Sequence, residues 1–262
     1  MRIVTWNVNS LRVRLQRVQA WLEKEQPDAL CLQELKAEDS AFPFAALEEV
    51  GYRAAIHGQK TYNGVAILSR EEAKDVVIGL DDGVEDPQAR LIAATIGDVR
   101  VICGYFPNGS TMESDKYPYK LEWLKRLHRY LEKRHSPEEK LVLCGDFNVA
   151  FDDRDMKNVS KWQGGVLYNE EVVQRVQDLL DWGLVDSFRQ VHEEGGIFTW
   201  WDYRGLSFPQ NDGLRIDHLL VTESLVSRIA EVRVDRDQRK KGACPDATKA
   251  SDHAPVVLYL SD

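Results

Sequence analysis

Five apolar runs in this sequence end in acids or amides, and that repeated ending constrains the fold more than any other feature. The endings are WNVN (6–9), LQE (32–34), GDFN (145–148), RID (215–217) and SDH (251–253). A short apolar run closed by turn-forming residues reads as a buried strand. Strands with polar tips of this kind deliver them to one edge of a sheet, where loops commonly carry binding and catalysis.

The pattern between these runs predicts both strands and helices. Leu11, Leu15, Val18 and Leu22 recur at spacings of 4, 3 and 4, an amphipathic helix with Ser10 or Asn9 as its N-cap. Pro27-Asp28 ends it, and ALCLQ (29–33) is a strand. Further helices are expected over about 42–50, 117–131 and 172–180. Further strands are expected at 52–57, 64–69, 74–78, 90–96, 99–106, 141–146, 197–201, 216–222, 229–235 and 255–260. Gly97-Asp98 marks a hairpin turn, and residues 151–166 read as irregular. Strands outnumber helices, and helices fall between strand groups in both halves. The chain is therefore expected to be α/β, with two sheets packed face to face and helices outside, a four-layer arrangement.

At 262 residues, with 43% hydrophobic and 29% charged, the composition is that of a globular chain. No Pro/Gly/Ser-rich linker divides it, so 1–262 is expected to be a single domain. No apolar run approaches the roughly 18 residues of a membrane span, and MRIVTWNVNS lacks the apolar core of a signal peptide. The expectation is a cytoplasmic protein with no membrane partner, and a monomer. Cys31, Cys103, Cys144 and Cys244 include no C-x-x-C pair, so zinc and a disulfide framework are not expected, and the thiols read as buried small hydrophobes. The net charge of −9 argues against non-specific coating of nucleic acid, while leaving room for a local basic rim.

The strand tips contain Asn7, Asn9, Glu34, Asp146, Asn148, Asp217, Asp252 and His253. Carboxylate and amide oxygens are hard ligands that suit Mg²⁺, with Mn²⁺ as the alternative ion. Phosphodiester hydrolysis needs a cation against phosphate charge, a base for water and a stabiliser of the leaving oxygen. Each ending alone also has a bland reading: a solvated Glu, a GD-x-N turn, an SDH loop. Their joint occurrence makes the pattern informative.

With these residues in view, the chain closely resembles the exonuclease III family of DNA repair nucleases, within the endonuclease/exonuclease/phosphatase superfamily. The resemblance runs from WNVNSLR to SDHAP and includes GYFPNG (104–109), WGLVDSFR (182–189), FTWWDYR (198–204) and GLRIDHLL (213–220). It implies a DNase I-like αββα sandwich of two mixed β-sheets. It also implies Mg²⁺-dependent hydrolysis of double-stranded DNA at abasic sites, trimming of 3′ ends, or both. By resemblance, Glu34 is the principal metal ligand with Asn7 beside it, and Asp146, Asn148 and Asp252 complete the metal surroundings. Asp146 orients or deprotonates the water, Asn148 holds phosphate oxygens, Asp217 orients His253 toward the phosphate, and Tyr105 contacts the leaving side. Asn9 stands where some relatives carry Asp.

The substrate-side expectations are Asn9, Asn108, Lys116, Leu214 and Trp200. If 197–201 is a strand, only one of Trp200 and Trp201 faces the pocket, and Trp200 is the choice. Arg12, Arg14, Arg17, Lys60, Lys116, Lys120 and the run 236–241 are expected to form the basic rim. Residues 165–170 (GVLYNE) depart from the family's Phe-Leu-Pro-Glu segment, so the loop around 162–167 is where the choice between abasic-site incision and 3′-end trimming is expected to lie. Two other functions are open to such a chain: a superfamily phosphoesterase acting on a non-nucleic-acid substrate, and a DNA- or RNA-binding regulator without catalysis. FTWWDYR and GLRID speak against the first, and the full set of catalytic-type residues speaks against the second.

Overall fold

In the computed structural model, which describes residues 1–243 and 249–261, the apolar runs form twelve strands in two mixed sheets. The first sheet contains β1 (Arg2–Asn7), β2 (Ala29–Gln33), β3 (Arg53–His57), β4 (Val65–Ser69), β11 (Ile229–Val234) and β12 (Val256–Leu260). Its order is β11-β12-β1-β2-β4-β3. The second contains β5 (Lys74–Ile78), β6 (Leu91–Ile96), β7 (Val99–Tyr105), β8 (Leu141–Asp146), β9 (Leu184–Asp186) and β10 (Asp217–Thr222), in the order β5-β6-β7-β8-β10-β9. The helices are α1 (Leu11–Glu25), α2 (Phe44–Glu48), α3 (Lys116–Arg134), α4 (Val159–Trp162), α5 (Glu170–Asp181) and α6 (Glu223–Val226).

Side-chain alternation sorts the core into layers. On β8, Val142 and Cys144 face the seam between the sheets, while Leu141 and Leu143 pack with Leu124 and Leu127 of α3. On β1, Ile3 belongs to the seam, whereas Val4 and Trp6 pack with Val18, Trp21 and Leu22 of α1. This is the expected four-layer αββα arrangement. The same period of two places Asn7, Gln33, Tyr105, Asp146 and Asp217 on the seam side of their strands.

Register then aligns these tips. Asn7 pairs with Gln33 across the parallel β1–β2 ladder, Tyr105 with Asp146 across parallel β7–β8, and Asp146 with Asp217 across antiparallel β8–β10. Gly145 permits the approach of β8 to β7, where it pairs with Gly104. It has φ 149°, and a Cβ there would lie 1.8 Å from the Gly104 carbonyl oxygen.

Four local expectations are corrected. Residues 197–201 form no strand; Trp200 makes only isolated bridges, to Leu214 through its own N–H and carbonyl and to His253 through the bonds of Thr199 and Trp201 to Ala254 and Asp252. The helix expected at 42–50 is the shorter α2, begun after Pro43. Ser10 sits at the N-cap of α1 but at φ 86°, and its side chain makes no cap bond; its N–H donates to the Glu34 carbonyl instead. The segment 151–166 holds α4 and a one-turn 3₁₀ helix. Cys31, Cys103 and Cys144 are buried free thiols as expected, and Cys244 lies outside the described residues.

Candidate active site

The strand tips converge. Asn7 is fully buried, and its side-chain amide N–H groups donate to Glu34 Oε1 and to Asp146 Oδ2, both at 2.9 Å. One residue of the first sheet thus links acids from both sheets. Tyr105 donates its hydroxyl to the same Glu34 Oε1 at 3.0 Å. Burial, then the Glu34 and Asp146 carboxylates, push the Tyr105 phenol well above its ordinary value, so it stays a proton donor.

Across the seam, His253 Nδ1 lies 2.9 Å from Asp217 Oδ2, and its Nε2 lies 3.7 Å from Asp146 Oδ2. Burial opposes charging of the ring, but Asp217 and Asp146 outweigh it and raise His253 to about 10. Burial raises Asp146 to about 7, with the Asp217 and Glu34 charges adding and His253 and Asn7 opposing. Asp217 is held from behind: Thr199 Oγ1 accepts the Asp217 backbone N–H at 3.1 Å. Ser251 donates to the Asn7 carbonyl at 2.7 Å and accepts the His253 N–H, fixing the SDH loop to the end of β1.

Asn148, at φ 51°, accepts from Asn108 Nδ2 at 2.8 Å and donates from its own Nδ2 to the Phe106 carbonyl. Its backbone N–H donates to Asp146 Oδ1 at 2.9 Å. Asn9, Glu34 and Lys36 also have left-handed backbone, at φ 44°, 54° and 53°. The chain turns sharply where it leaves the strands, a conformation of the kind that clusters at functional sites.

Asp252 accepts from Asn9 Nδ2 through Oδ1 and from the Trp200 indole through Oδ2, at 2.9 and 3.0 Å. Against its burial, the His253 charge and these two donors hold it below its ordinary value. Trp200 is partly exposed and meets Trp162 edge-on at 6.0 Å, whereas Trp201 is fully buried against Phe208. Of the two, Trp200 is therefore the one with exposed surface, and its setting is a loop and not the alternating strand expected. Leu214 is a correction: it has no exposed surface and packs in the core cluster beneath Trp200, so its side chain supports the pocket without lining it.

The basic rim is also corrected. Arg14 and Arg17 are buried and satisfy backbone carbonyls: Arg14 those of Asn9, Lys249 and Ala250, and Arg17 those of Gln238, Lys240 and Lys241. Lys120 has no exposed surface, and burial lowers it to about 7. Arg12, Lys60 and Lys116 remain exposed. Lys116 and Asn108 border a cleft of about 520 Å³ that reaches Tyr105, Arg90 and Tyr62. The sequence reading missed Lys36, whose ammonium lies 2.9 Å from Glu34 Oε2 and donates to Asn9 Oδ1 at 2.7 Å. Two places after the LQE ending was its available signal. Thr199, missed as well, carried the signal of its place in FTWW.

Among the described residues, Asp146, Asp217 and His253 form a group whose ligand atoms lie within 4.8 Å of one another, close enough to hold a metal ion. Two sheets that pool acids, amides and a histidine at one seam form a site suited to a phosphoester hydrolase. Residues 4–253 match the Endonuclease/Exonuclease/phosphatase family. "Exodeoxyribonuclease III" of Haemophilus influenzae is 38% identical, the match covering 98% of each chain. Among solved structures, the Neisseria 3′ phosphatase NExo bound to product DNA hairpin is 46% identical, with TM-score 0.93 and full coverage of both chains. An AP endonuclease from Archaeoglobus fulgidus is 38% identical, with TM-score 0.94 and full coverage of both. This chain belongs to the Endonuclease/Exonuclease/phosphatase family, in its exonuclease III branch of DNA repair nucleases.

Proposed function

We propose that the chain is a Mg²⁺-dependent DNA phosphodiesterase that incises at abasic sites and trims 3′ ends of double-stranded DNA. The observation that carries this reading is the continuous link Asp217–His253–Asp146–Asn7–Glu34, an imidazole between two acids joined through an amide to a third. The DNA-bound Neisseria relative and the AP endonuclease relative support the two substrate forms.

The donor chemistry fits a hard divalent cation. Glu34 and Asn7 offer carboxylate and amide oxygens, with Asp146 at the shared edge; a cation there would take the place of the Lys36 ammonium on Glu34 Oε2 and share Asn7 Oδ1 with the Asn9 N–H. The His253 group is a poorer cradle, because a ring held charged by two carboxylates repels a cation. When bound, Mg²⁺ would offset phosphate charge and polarise the scissile P–O bond. The side chains do the rest. Asp217 accepts from Nδ1–H of the charged His253 ring and fixes its orientation, leaving Nε2–H for a phosphate oxygen. Asp146, raised to about 7, is matched to accept a proton from water near neutral pH. The water oxygen bonds to phosphorus as Asp146 takes the water's proton, the P–O bond to the leaving sugar breaks, and the departing oxygen takes up a proton from solvent, while Asp146 returns its own proton to solvent. Asn148, held by Asn108 and Phe106, keeps its amide beside Asp146.

The direct test is turnover of a duplex containing one internal abasic site and of a duplex with a recessed 3′ end, each with Mg²⁺ and with EDTA. Cleavage only with the ion supports the reading. No cleavage of either duplex at any Mg²⁺ or Mn²⁺ concentration would sink it.

A further inference from the structure

A single buried ammonium joins three loops of the site. Lys120, on the second turn of α3, has no exposed surface. Its Nζ donates to the carbonyls of Asn148 and Val166 at 2.7 Å and of Asn108 at 3.2 Å. An ammonium has three N–H donors, so these carbonyls use all of them. The carbonyls come from three separate stretches: the loop after β7, the loop after β8, and the loop between α4 and α5. The first two carry the amides that face each other as Asn108 Nδ2 and Asn148 Oδ1. The third follows Trp162, which packs edge-on against Trp200.

A second observation points the same way. Gly109 has φ 96°, and a Cβ there would lie 3.3 Å from Lys120 Cδ and 3.2 Å from Val166 Cβ. The glycine of GYFPNG therefore makes room for the lysine stem and for the loop that the lysine holds. Nothing in the geometry of a solvated surface lysine would require that space.

We infer that Lys120 is a positioning residue that sets the distance between the Asn148 amide and the 164–168 loop, and so couples catalytic alignment to the choice between abasic sites and 3′ ends. This rests on the phosphodiesterase reading above. While Lys120 is protonated, its hydrogen bonds are charge-assisted and among the stronger ones in proteins, and three converging on one atom leave each loop little freedom to shift separately. Because Lys120 lies behind the site, its loss should misplace groups without removing any that touch DNA.

The test compares wild type, Lys120→Met and Gly109→Ala on the two duplexes. Lys120→Met keeps the stem and removes the donors. Gly109→Ala keeps the donors and crowds the stem, and it decides the matter if Lys120→Met does not fold. Either variant should lose about 10²-fold in kcat, the scale of a 1 Å misplacement, with KM little changed. The ratio of abasic to 3′-end rates should also shift, by about 10-fold on the same scale. Amide exchange should speed up together in segments 106–110, 147–150 and 164–168. A merely structural lysine would change melting and leave both the kcat–KM split and the substrate ratio alone. Variants that fold with wild-type kcat, ratio and exchange overturn the inference. Wild type inactive on both duplexes overturns the phosphodiesterase reading instead.

Discussion

Two acids with opposed surroundings face His253, and this has consequences for pH. Asp217 charges the ring, whereas burial keeps Asp146 poised near neutrality. If turnover needs ionised Asp146 and charged His253, kcat/KM should rise as pH passes about 7 and fall as it passes about 10. The two limbs belong to the coupled pair as macroscopic values. His253 is raised above its ordinary 6.5, so its contribution to stability is complete below that pH and is lost as pH climbs through about 10. Asp146 is also raised, from 3.8 to about 7, so its folded-state advantage lies below 3.8 and is lost through about 7. A pH–rate profile with no alkaline limb would remove the charged-imidazole role. Asp146→Asn and Glu34→Gln should each lower kcat by 10² to 10⁴-fold or about that, the usual range for a proton-transfer or charge-orienting group. Only Glu34→Gln should raise the Mg²⁺ concentration needed for half-maximal rate, because Glu34 is the acid that Asn7 and Tyr105 hold outside the imidazole pair. Metal titration of the two variants separates these outcomes.

At the scale of elements, register and period do the positioning. Parallel β7–β8 and antiparallel β8–β10 put Tyr105, Asp146 and Asp217 in one row. Gly145 is the point of closest approach, so Gly145→Ala should destabilise by about 1–3 kcal/mol or more from overpacking and positive φ together. A denaturant melt should show a lower midpoint with an unchanged slope. An unchanged midpoint would mean that β7 and β8 can separate at no cost. The strands and their tips were legible in sequence because a side-chain period of two and an apolar run leave little freedom for short strands. WNVN, LQE, GDFN, RID and SDH accordingly supplied most of the site. The side chains that failed to read were long ones. Arg14, Arg17 and Lys120 look like rim cations in sequence, but their stems carry the charge inward to backbone carbonyls, and no local pattern encodes where a four- or five-bond stem ends. Lys36 was missed for the converse reason: its tip returns to the acid two residues earlier. The 197–201 run failed because its apolar and aromatic residues pack around loops, with Trp201 buried against Phe208 and Trp200 shared between Leu214 and His253.

At the scale of the whole molecule, an acidic chain of net charge −9 must approach a polyanion through a local group of cations. Arg14, Arg17 and Lys120 are buried, which leaves Arg12, Lys60 and Lys116 exposed from the expected rim, with Lys240 and Lys241 at its far end. Each phosphate neutralised adds about 0.9 to the slope of log K against log salt. Three contacts give a slope of about −3 and five about −4.5 on that scale. Binding measured on an uncleavable duplex without Mg²⁺ should fall in this range. Lys116→Ala, at the cleft beside Tyr105 and Asn108, should flatten the slope by about 1 and weaken binding to all sequences alike. Lys120→Met should leave the slope unchanged, because its ammonium meets carbonyl oxygens and no solvent. A wild-type slope steeper than about −6 would need more phosphate contacts than these five cations supply, which would bring in exposed basic residues beyond the expected rim, such as Lys157, Lys161 or Arg204.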